Sequence, residues 1–148
     1  MFIADAAVTL RRALVARNGL DRGCEAAAEA IAWAWEHLDD LATMANPLGY
    51  LYRVGQSSLR RSYRLDRLRV DLLPDGAIFD AHHVDTHLFE ALRRLTPDQR
   101  LAVVMVHMYG FTYRDVAELT GASEAAVTNY VHRGMNRLRT LLDREDHS

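Results

Sequence analysis

With 148 residues, the chain is long enough for one domain or two small ones, and its 49% hydrophobic content supports a buried core. A net charge of -2 excludes a general binder of polyanions, so any contact with nucleic acid must come from local charge. The single cysteine, Cys24, excludes intrachain disulfides and cysteine-rich zinc sites. The N-terminus lacks a basic segment before its short apolar stretch, and no apolar run approaches the roughly 20 residues of a membrane span. We therefore expect a cytoplasmic protein with no membrane partner.

Helical periodicity runs through the first half of the chain, and strand-like alternation is not sustained anywhere. Three helices are predicted there, over residues 3–17, 21–42 and 47–64. Asn18-Gly19 ends the first helix, and Asn46-Pro47 begins the third with a cap followed by a proline at the first helical position. The segment 65–84 contains Pro74-Asp75-Gly76, a turn signature, and we predict that it is a linker.

Helices resume after the linker, and four are predicted, over residues 85–95, 97–109, 113–119 and 123–142. Thr96-Pro97-Asp98-Gln99 combines a capping box with a proline at the first helical position. The last two helices flank a tight turn at Gly121, a residue able to take positive φ, and Ser123 is placed to cap the second of them. Ala117 supplies the small residue at the helix crossing, and Val127 the apolar anchor. This spacing is typical of a helix-turn-helix, which places its second helix in the DNA major groove.

Charge is segregated along the sequence. Residues 21–40 carry six acids and one base, Arg22, whereas residues 53–69 carry six arginines and one acid, Asp66. On a helical wheel the second helix has a predicted core stripe of Ala27, Ile31, Ala34, Trp35, Leu38 and Leu41. The opposite face gathers Glu25, Glu29 and Glu36, with Trp33 at its edge. The wheel therefore predicts that Trp35 is buried and that Trp33 belongs to a partner surface. Packing of Trp33 under a neighbouring helix or loop is the alternative.

The third helix has an apolar face and an arginine face. Its predicted inner positions are Leu51, Val54, Ser58 and Leu59. Its predicted outer positions are Arg53, Ser57, Arg60, Arg61 and Arg64, with Tyr50 on or near them. Arginines for phosphates beside tyrosines for bases suit single-stranded or melting DNA, because stacking tolerates any base. A solvated arginine face with tyrosines at its edges is the alternative.

The recognition helix of the predicted helix-turn-helix also divides into two faces. Val127, Val131, Gly134 and Leu138 are predicted to face the core, and Ala125, Thr128, Asn129, His132 and Arg133 to face outward. Asn129 suits adenine, and Arg133 suits guanine or phosphate, each base contact contributing roughly 1–3 kcal/mol of discrimination. The backbone of Ser123, at the helix N-terminus, suits a phosphate.

Histidines near the linker raise the question of a metal site. His83 and His87 are four residues apart, a spacing that can bind zinc, and Asp80, His82 and Asp85 lie beside them. They have no cysteine partner, so we expect neither a metal nor a cofactor. The sequence contains no phosphate-binding loop, nucleophile elbow or paired catalytic carboxylates, and we do not expect an enzyme.

Two stretches together resemble the extracytoplasmic-function (ECF) type of bacterial RNA polymerase sigma factor. The more specific one is similar to region 4 of that family: LRRLTPDQRLAVVMVHMYGFTYRDVAELTGASEAAVTNYVHRGMNRLRTLL. The looser one, EAIAWAWEHL followed by NPLGYLYRVGQSSLRR, is similar to region 2. The resemblance implies an all-α chain with a three-helix region 2-like domain at 1–64, a linker at 65–84 and a region 4-like helix-turn-helix domain at 85–148.

The same resemblance implies partners and site residues. Core RNA polymerase would bind at Glu25, Glu29, Trp33 and Glu36. The unpaired -10 strand of promoter DNA would bind at Met44, Ala45, Asn46, Arg53, Ser57, Arg60, Arg61 and Arg64. The -35 element would bind at Ser123, Glu124, Ala125, Thr128, Asn129, His132 and Arg133. The sequence leaves open whether an anti-sigma protein is a further partner, and which promoters are bound.

Departures from the family pattern favour a divergent member. The acidic segment keeps Glu25 and Glu29 but lacks the usual glutamine, and Tyr50 replaces the usual tryptophan. Ser57 and Arg61 replace a customary asparagine and aspartate. Weaker polymerase binding and an atypical promoter sequence are therefore expected. Two alternatives stay open: a sigma-like regulator that binds DNA without engaging polymerase, and a pure interaction module that titrates an anti-sigma partner.

Overall fold

The computed structural model describes residues 2–66 and 86–146, with the side chains of residues 5–61 and 87–144. Within these ranges the chain is helical and contains no strand, which confirms the predicted all-α class. The helices are α1 (Phe2–Asn18), α2 (Leu20–Glu36), α3 (Leu38–Ala42), α4 (Pro47–Asp66), α5 (Thr86–Arg93), α6 (Pro97–Val103), α7 (Tyr113–Thr120) and α8 (Glu124–Asp146). No helix among the described residues is both long and apolar enough to cross a membrane.

The N-termini of α6 and α7 are fixed by capping boxes, which satisfy backbone donors that the first turn of a helix leaves unpaired. At α6 the Thr96 hydroxyl accepts a hydrogen bond from the Gln99 backbone at 3.2 Å, and the Gln99 side chain accepts one from the Thr96 backbone at 3.3 Å. This cap was predicted from the sequence. Thr112 and Asp115 form the same reciprocal pair before α7, with both bonds at 3.0 Å.

The predicted helix over residues 21–42 is interrupted at His37. This residue has φ -130° and ψ 36°, so α2 ends at Glu36 and a short α3 follows. The predicted core stripe was also wrong in part, because Trp35 is 60% exposed and Leu38 is 42% exposed. The predicted stripe consisted mostly of large apolar residues, whereas the buried residues of α2 are small: Gly23, Ala26, Ala27, Ala30 and Ala34.

Close approach of α1 and α2 explains why small residues form the buried face. A Cβ atom at Gly23 would lie 2.3 Å from the Val15 Cα atom, a distance that no side chain can occupy. The alanines occupy the face of α2 that packs against its neighbours. Trp35 follows the buried Ala34 directly, so it lies on a different side of the helix and is exposed. The break at His37 then changes the helical phase of Leu38.

The predicted helix over residues 97–109 also changes character. Residues Val104–Met108 form a π-helical turn, in which the backbone N–H of Tyr109 donates to the carbonyl oxygen of Val104 at 3.3 Å. The Arg12 guanidinium of α1 lies 4.4 Å from the centre of the Tyr109 ring. The end of this segment is therefore in contact with the first helix of the chain.

The hydrophobic core joins the N-terminal helices α1–α4 to the C-terminal helices α5–α8. Its main cluster combines Leu10, Leu14, Leu51 and Tyr52 with Leu101, Met105, Val116, Leu119, Val127 and Val131. A second cluster combines Ala16 of α1 with Leu92, Leu95, Val104 and Leu138. The two predicted modules are thus packed against each other. The boundary between them stays a prediction, since residues 67–84 of the proposed linker lie outside the described residues and Leu65 and Asp66 belong to α4.

A buried arginine connects the two sets of helices. The Arg100 side chain of α6 donates to the carbonyl oxygens of Ala16, at 2.6 Å, and Arg17, in the last turn of α1. It also donates to the carbonyl oxygens of Arg93, the last residue of α5, at 3.4 Å and of Leu95, two residues later, at 3.5 Å. Burial, with a smaller contribution from Arg17 and Arg93, lowers the pKa of Arg100 below its ordinary value. Arg100 thus caps two helix C-termini whose last carbonyls would otherwise lack partners.

Candidate nucleic-acid interface

Helices α7 and α8 form the predicted helix-turn-helix. The turn residue Gly121 has φ +79°, and its N–H donates to the carbonyl oxygen of Ala117 at 2.9 Å. The Ser123 hydroxyl accepts a hydrogen bond from the Ala126 backbone at 3.0 Å and so caps α8, as predicted. The predicted inner face of α8 is confirmed, because Val127, Val131, Gly134 and Leu138 are all buried.

The opposite face of α8 is open along its first three turns. The exposed residues there are Ser123, Glu124, Ala125, Asn129, His132 and Arg133. Thr128 is half-buried, and its hydroxyl donates to the carbonyl oxygen of Glu124 at 2.9 Å. That these residues bind the -35 element stays a prediction. The exposed face is accessible to a DNA groove, although the Thr128 hydroxyl is already hydrogen-bonded within the helix.

Gly121→Ala is expected to lower the free energy of unfolding by roughly 1–2 kcal/mol, because a Cβ atom strains the left-handed conformation. Space is not the cause, since a Cβ atom built at Gly121 meets nothing within 4 Å. Urea denaturation measures the loss. Gly121→Asn is the matched comparison, because asparagine tolerates this conformation, and it should recover much of the difference. Equal stability of the alanine variant and the wild type would contradict this explanation.

The arginine face of α4 is exposed as predicted at Arg53, Ser57, Arg60 and Arg61. Arg64 belongs to the same helix, but its side chain lies outside the described ones. Tyr50 is exposed at the start of α4, whereas Tyr52 is buried. Burial raises the pKa of Tyr52 to about 12, so this side chain remains a neutral phenol.

Part of this arginine face lines a cleft between α4 and the helix-turn-helix. Arg53 and Arg60 line it from α4, and Thr120 and Tyr130 line it from the other side. The cleft has a volume of about 210 Å³, and its lining includes the ion pair between Arg17 and Asp98. Arg53 and Arg60 thus remain exposed, but they share this cleft with the helix-turn-helix.

The loop predicted to receive an extruded base also contacts the helix-turn-helix. Met44 is half-buried against the core, whereas Ala45 and Asn46 are exposed. The Asn46 side chain accepts a hydrogen bond from the Gly49 backbone at 3.1 Å, which caps α4, and donates one to the carbonyl oxygen of Glu118 at 2.7 Å. A Cβ atom at Gly49 would lie 2.9 Å from the same Glu118 carbonyl oxygen, so α4 and α7 approach closely here.

The acidic face of α2 is exposed at Glu25, Glu29 and Glu36. Trp33, predicted at its edge, is half-buried and packs against the core, which favours the alternative that it lies under neighbouring groups. The exposed tryptophan beside this face is Trp35 instead. The signal that could have identified it is the run of alanines in α2, whose spacing marks the buried face.

The histidine cluster is only partly within the described chain. Asp80, His82, His83 and Asp85 lie outside it, and His87 belongs to α5. Among the described residues there is no group of three histidine, cysteine, aspartate or glutamate side chains that could hold a metal ion.

Comparison with known proteins gives a consistent family assignment. The family model described as Sigma-70, region 4, matches residues 87–138. The RNA polymerase sigma factor CarQ of Myxococcus xanthus is 41% identical over 56 residues, which are 38% of this chain and 32% of that protein. The ECF RNA polymerase sigma factor EcfG of Rhodopseudomonas palustris is 27% identical over 150 residues, which are 95% of this chain and 82% of that protein.

A third relative and a solved structure extend the match to both sets of helices. The RNA polymerase sigma-E factor of Streptomyces coelicolor is 30% identical over 118 residues, which are 76% of this chain and 65% of that protein. The sigma factor RpoE of Bartonella quintana, solved with the anti-sigma factor NepR, matches with a TM-score of 0.71 at 22% identity. That match covers 96% of this chain and 94% of the solved one, and it shows a shared fold. The chain belongs to the ECF type of RNA polymerase sigma factors.

Proposed function

We propose that this protein binds core RNA polymerase and directs promoter-specific initiation of transcription. Residues 39–64 would hold the -10 element, and the recognition helix, residues 123–142, would read the -35 element. The observation that carries the proposal is the open polar face of α8. It belongs to a helix-turn-helix of the sigma region 4 family, in a chain that separately exposes an arginine face and an acidic face.

At the -35 element, the first turns of α8 would enter the major groove. The Asn129 amide would bind an adenine edge, and Arg133 would bind guanine or a phosphate. The N-terminus of α8 at Ser123 would lie on a phosphate, where the helix dipole and unpaired N–H groups favour an anion. Ala125 would contact a thymine methyl group. Glu124 and His132 lie on the same exposed face.

At the -10 element, the exposed arginines of α4 would follow the phosphates of a separated strand. The loop around Met44, Ala45 and Asn46 would receive the extruded base. Extrusion of a base costs a few kcal/mol. The Asn46 side chain is bonded to Glu118, and Arg53 and Arg60 face the cleft, so the helix-turn-helix must move away before the strand can bind. Polymerase binding would supply the free energy for both steps.

Polymerase would bind the acidic face of α2, where Glu25, Glu29 and Glu36 are exposed and Trp33 lies half-buried at the edge. Trp35, in the last turn of α2, and Leu38, the first residue of α3, add large exposed apolar surface next to this face. A tryptophan surrounded by polar groups is a frequent energetic anchor of protein interfaces. An anti-sigma protein would be a further partner, because the solved RpoE structure contains one.

Reconstituted transcription with purified core polymerase tests this proposal. The holoenzyme should protect and transcribe specific promoters, whereas the isolated chain should bind promoter duplex weakly in a salt titration. A regulator that does not engage polymerase predicts specific binding by the isolated chain and no transcription. A pure interaction module predicts no promoter footprint with or without polymerase. Either result would contradict the proposal.

Asn129→Ala and Arg133→Ala are each expected to reduce discrimination at one -35 base pair by roughly 1–3 kcal/mol, because each removes one bidentate base contact. Transcription from promoters that carry every base at each -35 position measures the effect. Arg139→Ala is the matched control, an exposed arginine of the same helix outside the predicted reading set, and it should leave the base preference unchanged. A uniform loss across all promoters, with preference intact, would assign both residues to phosphate contacts instead.

A further inference from the structure

Three aromatic side chains connect the end of α2 to the start of α4. The ring of His37 is stacked on Trp33, with centroids 4.1 Å apart and planes 8° apart. The Trp33 ring also lies 5.1 Å from that of Tyr50, at an angle of 45°. Residues 39–46, which comprise most of the short helix α3 and the turn that follows it, run between the helices that these rings join, and we call this segment the 39–46 loop. We call His37, Trp33 and Tyr50 the aromatic stack.

His37 is also the residue at which α2 stops. Its Nδ1 atom lies 2.9 Å from the carbonyl oxygen of Trp33, and because a carbonyl oxygen only accepts, the imidazole donates this bond. The His37 N–H bonds the carbonyl oxygen of Ala34, and its own carbonyl accepts from Leu41 in α3. His37 therefore closes one helix, begins the next and is held in place through its ring.

The C-terminal end of the loop is also bonded to a member of the aromatic stack. The backbone N–H of Tyr50 donates to the carbonyl oxygen of Asn46 at 3.2 Å, in the first turn of α4. Met44 packs against the core cluster that Trp33 also contacts. Thus Trp33 reaches both ends of the loop: His37 where the loop leaves α2, and Tyr50 where it enters α4.

We propose that the aromatic stack is the positioning element that sets the conformation of the 39–46 loop for strand capture. His37 and Trp33 act through the loop and need not contact DNA themselves. Trp33 thereby gains a function other than the polymerase contact predicted from its place on the wheel. The part of this inference that concerns the -10 strand rests on the proposed function. The part that concerns the loop itself does not.

The loop part is tested on the isolated full-length chain. His37→Ala should make the amides of residues 38–50 exchange about tenfold faster, the effect of losing one stacked aromatic contact and its hydrogen bond. His37→Phe keeps a stackable ring and should restore most of the protection. His107→Ala, an exposed histidine in the π-helical turn, is the matched control and should exchange like the wild type. Unchanged exchange in His37→Ala would overturn the proposal.

Fluorescence gives a second readout of the stack itself. The chain has two tryptophans, so Trp35→Phe leaves Trp33 as the reporter. In that background His37→Ala should change the emission of Trp33, whereas His107→Ala should not. An emission spectrum identical in the presence and absence of the His37 ring would show that the two rings are not stacked in solution, and this too would overturn the proposal.

The strand part is tested on the holoenzyme with a single-stranded -10 oligonucleotide and a duplex -35 fragment. His37→Ala should weaken oligonucleotide binding about tenfold, with polymerase and -35 affinity unchanged, and His37→Phe should bind within about threefold of the wild type. A parallel loss of polymerase affinity would place the stack in the polymerase surface and overturn the proposal. Failure of the wild-type holoenzyme to bind either DNA would overturn the proposed function and the strand part with it. Amide exchange would then decide the loop part alone.

Discussion

Arg100→Met is expected to lower the free energy of unfolding by about 3 kcal/mol, among the largest losses for a single side chain in this protein. Methionine retains most of the side-chain volume but removes the hydrogen bonds to four carbonyl oxygens at the ends of α1 and α5. Relief from burying the guanidinium charge offsets part of the loss, consistent with the lowered pKa of Arg100. Urea denaturation, followed by circular dichroism, measures the change.

Arg94→Met is the matched control, because Arg94 lies in the connection between α5 and α6, close to Arg100 in the chain, but is exposed. It should change the free energy of unfolding by less than about 0.5 kcal/mol, as is usual for surface substitutions. If Arg100→Met were as stable as this control, the bonds to α1 and α5 would contribute nothing net, and the connection between the two sets of helices would be apolar only.

The same substitution has a consequence for DNA binding. Arg100 holds α6 to the last turn of α1, and the ion pair between Arg17 and Asp98 lies beside it. Loosening this contact should widen the cleft that Arg53 and Arg60 share with the helix-turn-helix. The isolated Arg100→Met chain, at a temperature where it remains folded, should therefore bind a single-stranded -10 oligonucleotide more tightly than the wild type. The packing of the two sets of helices would then be a restraint that polymerase normally relieves.

Short-range signals made the C-terminal half predictable. The Thr96 cap, the Gly121 turn and the Ser123 cap each depend on residues within four positions of one another, and all three form as predicted. The inner face of α8 follows from helical spacing alone. Local chemistry of this kind determines where a helix begins and which side is buried, whatever the rest of the chain does.

The orientation of α2 could not be read from the size of its apolar residues. Its burial depends on how close α1 comes, and that distance depends on Gly23 against Val15, a contact between helices. The break at His37 coincides with a local contact instead, because the imidazole ring is stacked on Trp33, one turn before it. A wheel assumes a continuous helix and weighs residues by hydrophobicity, so the close crossing was enough to misplace Trp35 and the break at His37 to misplace Leu38.

Contacts between the two sets of helices could not be predicted from the sequence for a different reason. The bond from Arg100 to Ala16 joins residues 84 positions apart, and that from Asn46 to Glu118 joins residues 72 apart. Each partner is a carbonyl oxygen, which every residue possesses, so no side-chain pattern marks it. The sequence therefore indicates the candidate DNA and polymerase faces but not that the arginine face shares a cleft with the helix-turn-helix.

Glu25→Lys combined with Glu29→Lys is expected to weaken binding of core polymerase by at least about 100-fold, because like charges across an interface cost several kcal/mol. Both side chains are exposed on α2, so the fold should tolerate the change. Co-purification with core polymerase and reconstituted transcription measure the effect, and both should fail together. The double change Asp5→Lys and Asp143→Lys alters two exposed acids by the same charge elsewhere and should leave both readouts intact.

Polymerase co-purification and transcription, measured together with DNA binding, distinguish the proposed sigma-factor function from a regulator that acts without polymerase. If the α2 double variant loses polymerase and transcription but its helix-turn-helix still binds a -35 duplex, the acidic face is a docking surface and the sigma assignment of function holds. Trp35→Ala should then weaken polymerase binding by a further amount, as expected of an aromatic anchor beside the charges. If regulation and DNA binding persist while polymerase association is unaffected, the glutamates are a solvated face, and a regulator that acts without polymerase explains the chain better.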